Sequence, residues 1–242
     1  MPSETPLPAP SYDRAQERFI AVGTGVIWRG IAGECGRVAP LLERSTDDGE
    51  NWVDVTPTYL EIGELIALNS FAGTEAEIVA SMGEACRVQA LRTFTQGQFW
   101  ESYPDVLASL RYINPVDSAS IERPIGAVAA PCADARDLHS AGAQLAISCD
   151  GVTYRLNDDS SWSALPASNV AALAIADSSI VVAHLSDVCN GLALTRYAEA
   201  DGTSGDEVGC VSIADVSAPV TIATSGDGVL VWSGDEWKIT SP

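Results

Sequence analysis

Two nine-residue stretches of this 242-residue chain align without a gap, 48 residues apart: Arg44-Ser-Thr-Asp-Asp-Gly-Glu-Asn-Trp52 and Arg92-Thr-Phe-Thr-Gln-Gly-Gln-Phe-Trp100. Upstream, Gly33-Glu-Cys-Gly-Arg-Val38 echoes Gly83-Glu-Ala-Cys-Arg-Val88. A second pair of segments, Leu145 to Trp162 and Thr221 to Trp237, shares the order strand, Asp-Gly turn, strand, acidic turn, then a strand opening with Trp. A period of 40 to 50 residues means small units that cannot bury an apolar face alone and must stack on their neighbours.

The segments between these markers are short apolar runs set off by turn chemistry. Phe19 to Val22, Val26 to Ile31, Leu65 to Leu68, Val88 to Leu91, Ile125 to Ala130, Leu145 to Ile147, Val170 to Ile175, Ile180 to Leu185, Val220 to Ala223 and Val229 to Trp232 read as strands. They are too short for ordinary helices and carry recurrent β-branched residues. Asp-Gly pairs at 48–49, 150–151, 201–202 and 227–228 each offer a glycine for a hairpin. Asp105 to Tyr112 and Gly73 to Met82 are read as one or two helical turns each.

Four short strands per repeat predict an all-β fold, a β-propeller of four-stranded antiparallel blades. Trp52, Trp100, Trp162 and Trp237 lie 48, 62 and 75 residues apart. The last gap is long enough to hide a blade without a marker, which gives five blades, with four or six also within the range of the spacing. A ring needs its edges covered, and the N-terminal segment near Tyr12 to Phe19 is expected to lend the last sheet a strand. Residues 1–11 read as a flexible Pro/Ser/Thr-rich tether and 12–242 as a single propeller domain.

Ser45-Thr-Asp47-Asp-Gly49-Glu-Asn-Trp52 resembles the Asp-box, the Ser-x-Asp-x-Gly-x-x-Trp hairpin of sialidase-type propellers and of photosystem II assembly factor-like repeat proteins. A short hydroxyl and a carboxylate satisfy backbone N–H groups in such a turn, the glycine takes a conformation other residues resist, and the tryptophan packs between sheets. The match is complete at 45–52 only. The copy at 93–100 has Thr95 in place of the aspartate, and those near Trp162 and Trp237 are degenerate. Sialidases of this fold use an arginine triad, a Tyr/Glu nucleophile pair and an acidic proton donor. Here the arginines are scattered, and Tyr59-Leu-Glu61 and Tyr197-Ala-Glu199 are the nearest approaches to the nucleophile pair.

The remaining chemistry is read as structural. His139 lies in a polar loop and His184 inside an apolar run, and no Gly-x-Ser-x-Gly elbow accompanies either. Asp47-Asp48-Glu50, Asn157-Asp158-Asp159 and Asp201 to Glu207 lack the alternating oxygen ligands of a calcium loop. No phosphate loop or dinucleotide fingerprint is present, so no cofactor and no metal are expected. Thirteen basic against 33 acidic residues leave a net charge of −20, the wrong sign for nucleic acid or anionic membranes, and no apolar run is long enough to span a bilayer.

A single lysine, Lys238, against twelve arginines, with abundant alanine, is the composition of a GC-rich bacterial genome. Six cysteines, none in a Cys-x-x-Cys pair and with only two histidines alongside, favour disulfides and an oxidising compartment over zinc. Spacing does not choose among the connectivities. Chain proximity within blades favours Cys132 with Cys149 and Cys189 with Cys210, which leaves Cys35 with Cys86. The expectation is a monomeric, non-enzymatic binding or assembly platform of the bacterial cell envelope, extracellular or cell-surface, exported with or without a lipoprotein anchor in its full length, with a protein or glycan partner held by loops on one propeller face. A glycan hydrolase of sialidase-like type and a sensor ectodomain of a membrane-anchored protein are the competing readings.

Overall fold

Apolar side chains at alternate positions, with left-handed residues in most of the turns, make this chain a succession of hairpins. The computed structural model describes residues 11–198 and 204–240. It is an all-β propeller of six small antiparallel sheets. The described residues fall into two compact units, Asp13–Ala130 and, with Ser11 and Tyr12, the described part of Pro131–Pro242.

In the unit Asp13–Ala130, blade 1 runs β1 (Arg18–Gly23), β2 (Val26–Ile31), β3 (Leu41–Ser45) and β4 (Val53–Asp54), and blade 2 runs β5 (Ile62–Phe71), β6 (Glu75–Met82), β7 (Arg87–Thr93) and β8 (Trp100–Ser102). A single helical turn, α1 (Pro104–Leu107), leads to blade 3, whose strands β9 (Tyr112–Ile113), β10 (Ser120–Glu122) and β11 (Val128–Ala129) are only two or three residues long. The core between blades 1 and 2 is built on Trp28 and Trp100, packed edge to face with centroids 6.1 Å apart among Leu65, Ile78 and Leu91.

In the other unit, blade 4 runs β12 (Arg136–Ala141), β13 (Gln144–Cys149), β14 (Val152–Leu156) and β15 (Trp162–Ser168). Blade 5 runs β16 (Val170–Ala176), β17 (Ser179–Ser186), β18 (Cys189–Ala198) and β19 (Gly205–Val211), and blade 6 runs β20 (Val220–Ser225), β21 (Gly228–Ser233) and β22 (Glu236–Thr240). The uninterrupted apolar run of β16 follows from burial on both faces. Leu173 packs with Ala146, Leu165 and Val182, while Ala172 and Ala174 face Val181, Ile222 and Val231.

Three disulfides join Cys35 to Cys86, Cys132 to Cys149 and Cys189 to Cys210. The first ties blade 1 to blade 2 and closes a separation of 51 residues, worth about 4 kcal/mol of loop entropy. The other two, at separations of 17 and 21, are worth about 3 kcal/mol each on the same basis. Among the described residues no helix is long and apolar enough to cross a membrane.

Several expectations need correction. Six blades stand, a count the tryptophan spacing allowed beside the favoured five. The interval from Trp100 to Trp162 holds blade 3 as well, hidden because it has no tryptophan and almost no strand length. Glu75–Met82 is a strand rather than helical turns, with β5 and β7 on either side claiming its backbone groups. Of Asp105 to Tyr112, only the turn starting at Pro104 is helical. Of Ile125 to Ala130, only Val128–Ala129 forms a strand. The last hairpin turns at Gly226 and Asp227, because Ser225 pairs with Gly228 and the left-handed glycine is Gly226. The N-terminal strand does not extend the last sheet, which has three strands among the described residues. Arg18–Gly23 pairs instead with Val26–Ile31 across a two-residue turn, a far shorter loop to close. The Asp201–Gly202 turn and residues 1–10 of the tether lie outside the described residues.

Candidate functional site

The two aligned hairpins are built alike. At the end of β3 the Ser45 hydroxyl accepts the N–H groups of Asp47 (3.3 Å) and Gly49 (2.9 Å) and donates to Asp47 Oδ1 at 2.7 Å. Asp47 accepts from Asn51 through its backbone N–H (2.9 Å) and side-chain amide (2.7 Å). The Asn51 side chain first, then its backbone N–H and the Ser45 hydroxyl, hold the Asp47 carboxyl below the ordinary aspartate value. Asp48 and Gly49 both take positive φ, 57° and 89°.

The second hairpin repeats this geometry with different letters. The Thr93 hydroxyl accepts from Thr95 N–H (3.2 Å) and Gly97 N–H (2.8 Å), and the Thr95 hydroxyl accepts from Phe99 N–H (2.8 Å). Gln96 and Gly97 match Asp48 and Gly49 with φ of 53° and 85°. The Arg44 guanidinium donates to the carbonyl and side-chain oxygens of Gln96, tying one hairpin to the next. Trp100 is buried and donates to the Val55 carbonyl at 3.1 Å. Trp52 is half-buried under the Arg29 guanidinium, 3.9 Å from its ring centroid. Trp162 opens β15 opposite Leu156, and Trp237 lies opposite Trp232 in β22.

The residues considered for catalysis are dispersed. The Tyr59 hydroxyl accepts the Trp100 N–H and donates to its carbonyl, and Glu61 ends a 3-10 turn in the left-handed region. Tyr197 is buried, which raises its hydroxyl above the ordinary value, and Glu199 lies outside the described residues. His184 bonds the Thr195 hydroxyl at 2.9 Å within its sheet. Asp159 accepts the Ser161 hydroxyl and N–H, which together hold it below the ordinary range. Among the described residues no three of His, Cys, Asp and Glu converge so as to hold a metal ion.

The structure does gather one polar site that the sequence gave no clear sign of. A cavity of about 220 Å³ opens between Tyr12, the segment Asp134–Asp137, the turn at Ser148–Gly151, and Val170 with Ala171. A register shift between Arg136 and His139 aims Asp137 inward with φ 51°. The Asp137 carboxylate is buried, accepts the Leu173 N–H at 2.6 Å, and lies 3.0 Å from His139 Nε2. Arg136 bonds Asp134 and the Tyr12 carbonyl, with the Tyr12 ring 5.3 Å from the guanidinium. Asp150, also left-handed, closes the rim. Three carboxylates and one guanidinium, with Asp134, Asp137 and Arg136 fixed by internal bonds, present a polar surface with an excess of acceptors. In the sequence this was only a charged loop, since the bulge that turns Asp137 inward leaves no mark on residue spacing.

No protein-family model matches the chain, and no curated protein matches it. Among solved structures it is similar to a GH43_1 enzyme from Xanthomonas citri complexed with xylotriose, at 8% identity over 93% of this chain and 83% of that one, with a TM-score of 0.41. It is similar to YCF48 from Cyanidioschyzon merolae at 16% identity, over 91% of this chain and 68% of that one, with a TM-score of 0.34. It is also similar to the Hadza microbial sialidase Hz136 at 11% identity, over 88% of this chain and 49% of that one, with a TM-score of 0.41.

Proposed function

We propose that this chain is an exported, non-enzymatic binding module of the cell envelope, monomeric, that takes a protein side chain or a single glycan unit into the cavity beside Arg136. The observation that carries this reading is the cavity's construction. Its buried carboxylate is already engaged by a backbone N–H and a histidine, and its guanidinium by Asp134 and the Tyr12 carbonyl. Such groups are held in place before a ligand arrives, which lowers the ordering cost of binding. A volume of about 220 Å³ is below the usual range for drug-sized ligands and suits one sugar ring or one side chain. Three disulfides support an oxidising compartment. The 45–52 hairpin is read as an Asp-box whose role is to fix the blade edge.

The test is a glycan array and a panel of fluorogenic xylosides, arabinofuranosides and sialosides, applied to the wild type and to Asp150→Ala. Binding without turnover, weakened in Asp150→Ala, is the expected result. Hydrolysis abolished by Asp150→Ala would replace this reading with a glycosidase.

A further inference from the structure

Blade 2 has a flank that its neighbour fails to cover. Alternation along β7 puts Val88, Ala90 and Arg92, with Phe94 just beyond the strand, on the face opposite the Trp28 core. The first part of that face is packed: Ala90 and Val79 bury against Leu110, with Val106, Leu107 and Tyr112 around them. The cover ends there, because the strands of blade 3 are two or three residues long where those of blade 5 have seven to ten. Beyond it stands an aromatic cluster. The Phe94 ring meets Phe71 at 5.4 Å and Tyr103 at 5.9 Å, with interplanar angles of 89° and 60°. Phe94 is 56% exposed, and Phe99 on the same hairpin is 65% exposed. These are costly residues to leave in water, since burying a large aromatic ring removes much apolar surface from solvent.

The charges around the cluster leave carboxylates in excess. Arg92 is held by Glu77 at 2.7 Å and lies over the Phe71 ring at 4.7 Å and the Tyr103 ring at 5.9 Å, and Arg44 is bonded to Gln96 on the same hairpin, so both cations are engaged internally and Phe94 is the open ring. Glu101, opposite Arg92 in the ladder, accepts the Tyr103 hydroxyl at 3.4 Å, and neither it nor the exposed Asp105 forms an ion pair among the described residues. Rings set at steep angles form a cup rather than the flat platform on which a run of sugar rings stacks. A cup of aromatic faces rimmed by carboxylates fits a side chain that is both apolar and positive. The geometry points to the Phe71–Phe94–Tyr103 face of blade 2 as a docking site for a basic, apolar peptide segment of a protein partner. This rests on reading the chain as a binding module but uses a surface separate from the Arg136 cavity.

The experiment pans the intact, disulfide-bonded protein against a phage-displayed random dodecapeptide library and measures the enriched synthetic peptides by fluorescence anisotropy. Enrichment of sequences pairing Arg or Lys with Leu or aromatic residues is expected. Phe94→Ala should weaken them about tenfold or more, as for a central aromatic anchor. Glu101→Gln should weaken them less, and raised salt should weaken them further. Asp150→Ala, at the cavity, should leave this binding unchanged, so that failure of one site is told apart from failure of the other. Phe94 is exposed, so a thermal melt within a few degrees of wild type confirms that the variant is folded. Enrichment of acidic or charge-free sequences, enrichment indifferent to Phe94→Ala, absence of any enrichment, or glycan binding that Phe94→Ala abolishes would each overturn the proposal.

Discussion

The aligned hairpins make a quantitative claim about a single hydroxyl. Thr93 is fully buried and its Oγ1 accepts two backbone N–H groups, from Gly97 at 2.8 Å and Thr95 at 3.2 Å. Thr93→Val puts a methyl group where the oxygen stood, so the volume is kept and little cavity is left behind. What is lost is two hydrogen bonds at about 1 kcal/mol each, and the buried Gly97 donor is left unpaired at about 1–3 kcal/mol. The total is about 3–5 kcal/mol, or about 6–20 °C in melting temperature for a chain of this size. Urea unfolding followed by tryptophan fluorescence reads it directly, since Trp100 and Trp28 lie beside the turn. The midpoint should fall with an unchanged slope. Thr93→Ser, which keeps the oxygen and loses one methyl, should cost only about 1 kcal/mol. If Thr93→Val unfolds with the wild type while Thr93→Ser does not, packing and not the hydroxyl holds the hairpin, and the equivalence with Ser45 fails.

Other outcomes follow from single sites. Gly97→Ala should cost about 3 kcal/mol by chemical denaturation, because φ is +85° and a Cβ would lie 2.8 Å from Val55 and 3.1 Å from Trp28; Gly25→Ala, left-handed in open space, should cost about 1 kcal/mol. Glu64 is pushed above its ordinary value near 4.5, chiefly by burial. The fold therefore holds its proton more tightly than the unfolded chain, so stability falls as pH rises from the ordinary value through the raised one. Glu64→Gln should stabilise at pH 7 and lose that advantage below about pH 4, as denaturation at the two pH values will show. Replacing Cys35 and Cys86 together by serine should cost about 4 kcal/mol from the 51-residue separation, and a smaller loss would mean that the reduced unfolded chain keeps structure in this region.

The repeat rhythm was legible wherever a strand pair ended in tryptophan, because those residues carry both the turn chemistry and the buried area. Trp28 and Trp100 anchor one core, and the apolar run Val170 to Ile175 read as the strand that β16 is. Blade 3 was not legible, since its strands are shorter than any periodicity can register. Nor was the cavity. It depends on Tyr12 meeting Arg136 across 124 residues of chain and on a backbone bulge, and neither leaves a local pattern. The degenerate copy at 93–100 shows the converse. Thr93 and Thr95 keep the bonding of Ser45 and Asp47, so letter-by-letter matching understates how alike two turns are.

That substitution of an alcohol for an acid separates the two loops in one respect. Asp47, held below its ordinary value by Asn51 and Ser45, contributes its bonds while ionised and loses them as acidification carries the medium through that lowered value. Thr95 has no proton to gain over the same range. In an acidic surrounding the first blade's corner would slacken while the second's stays taut, giving adjacent, superimposable turns opposite tolerance to acid.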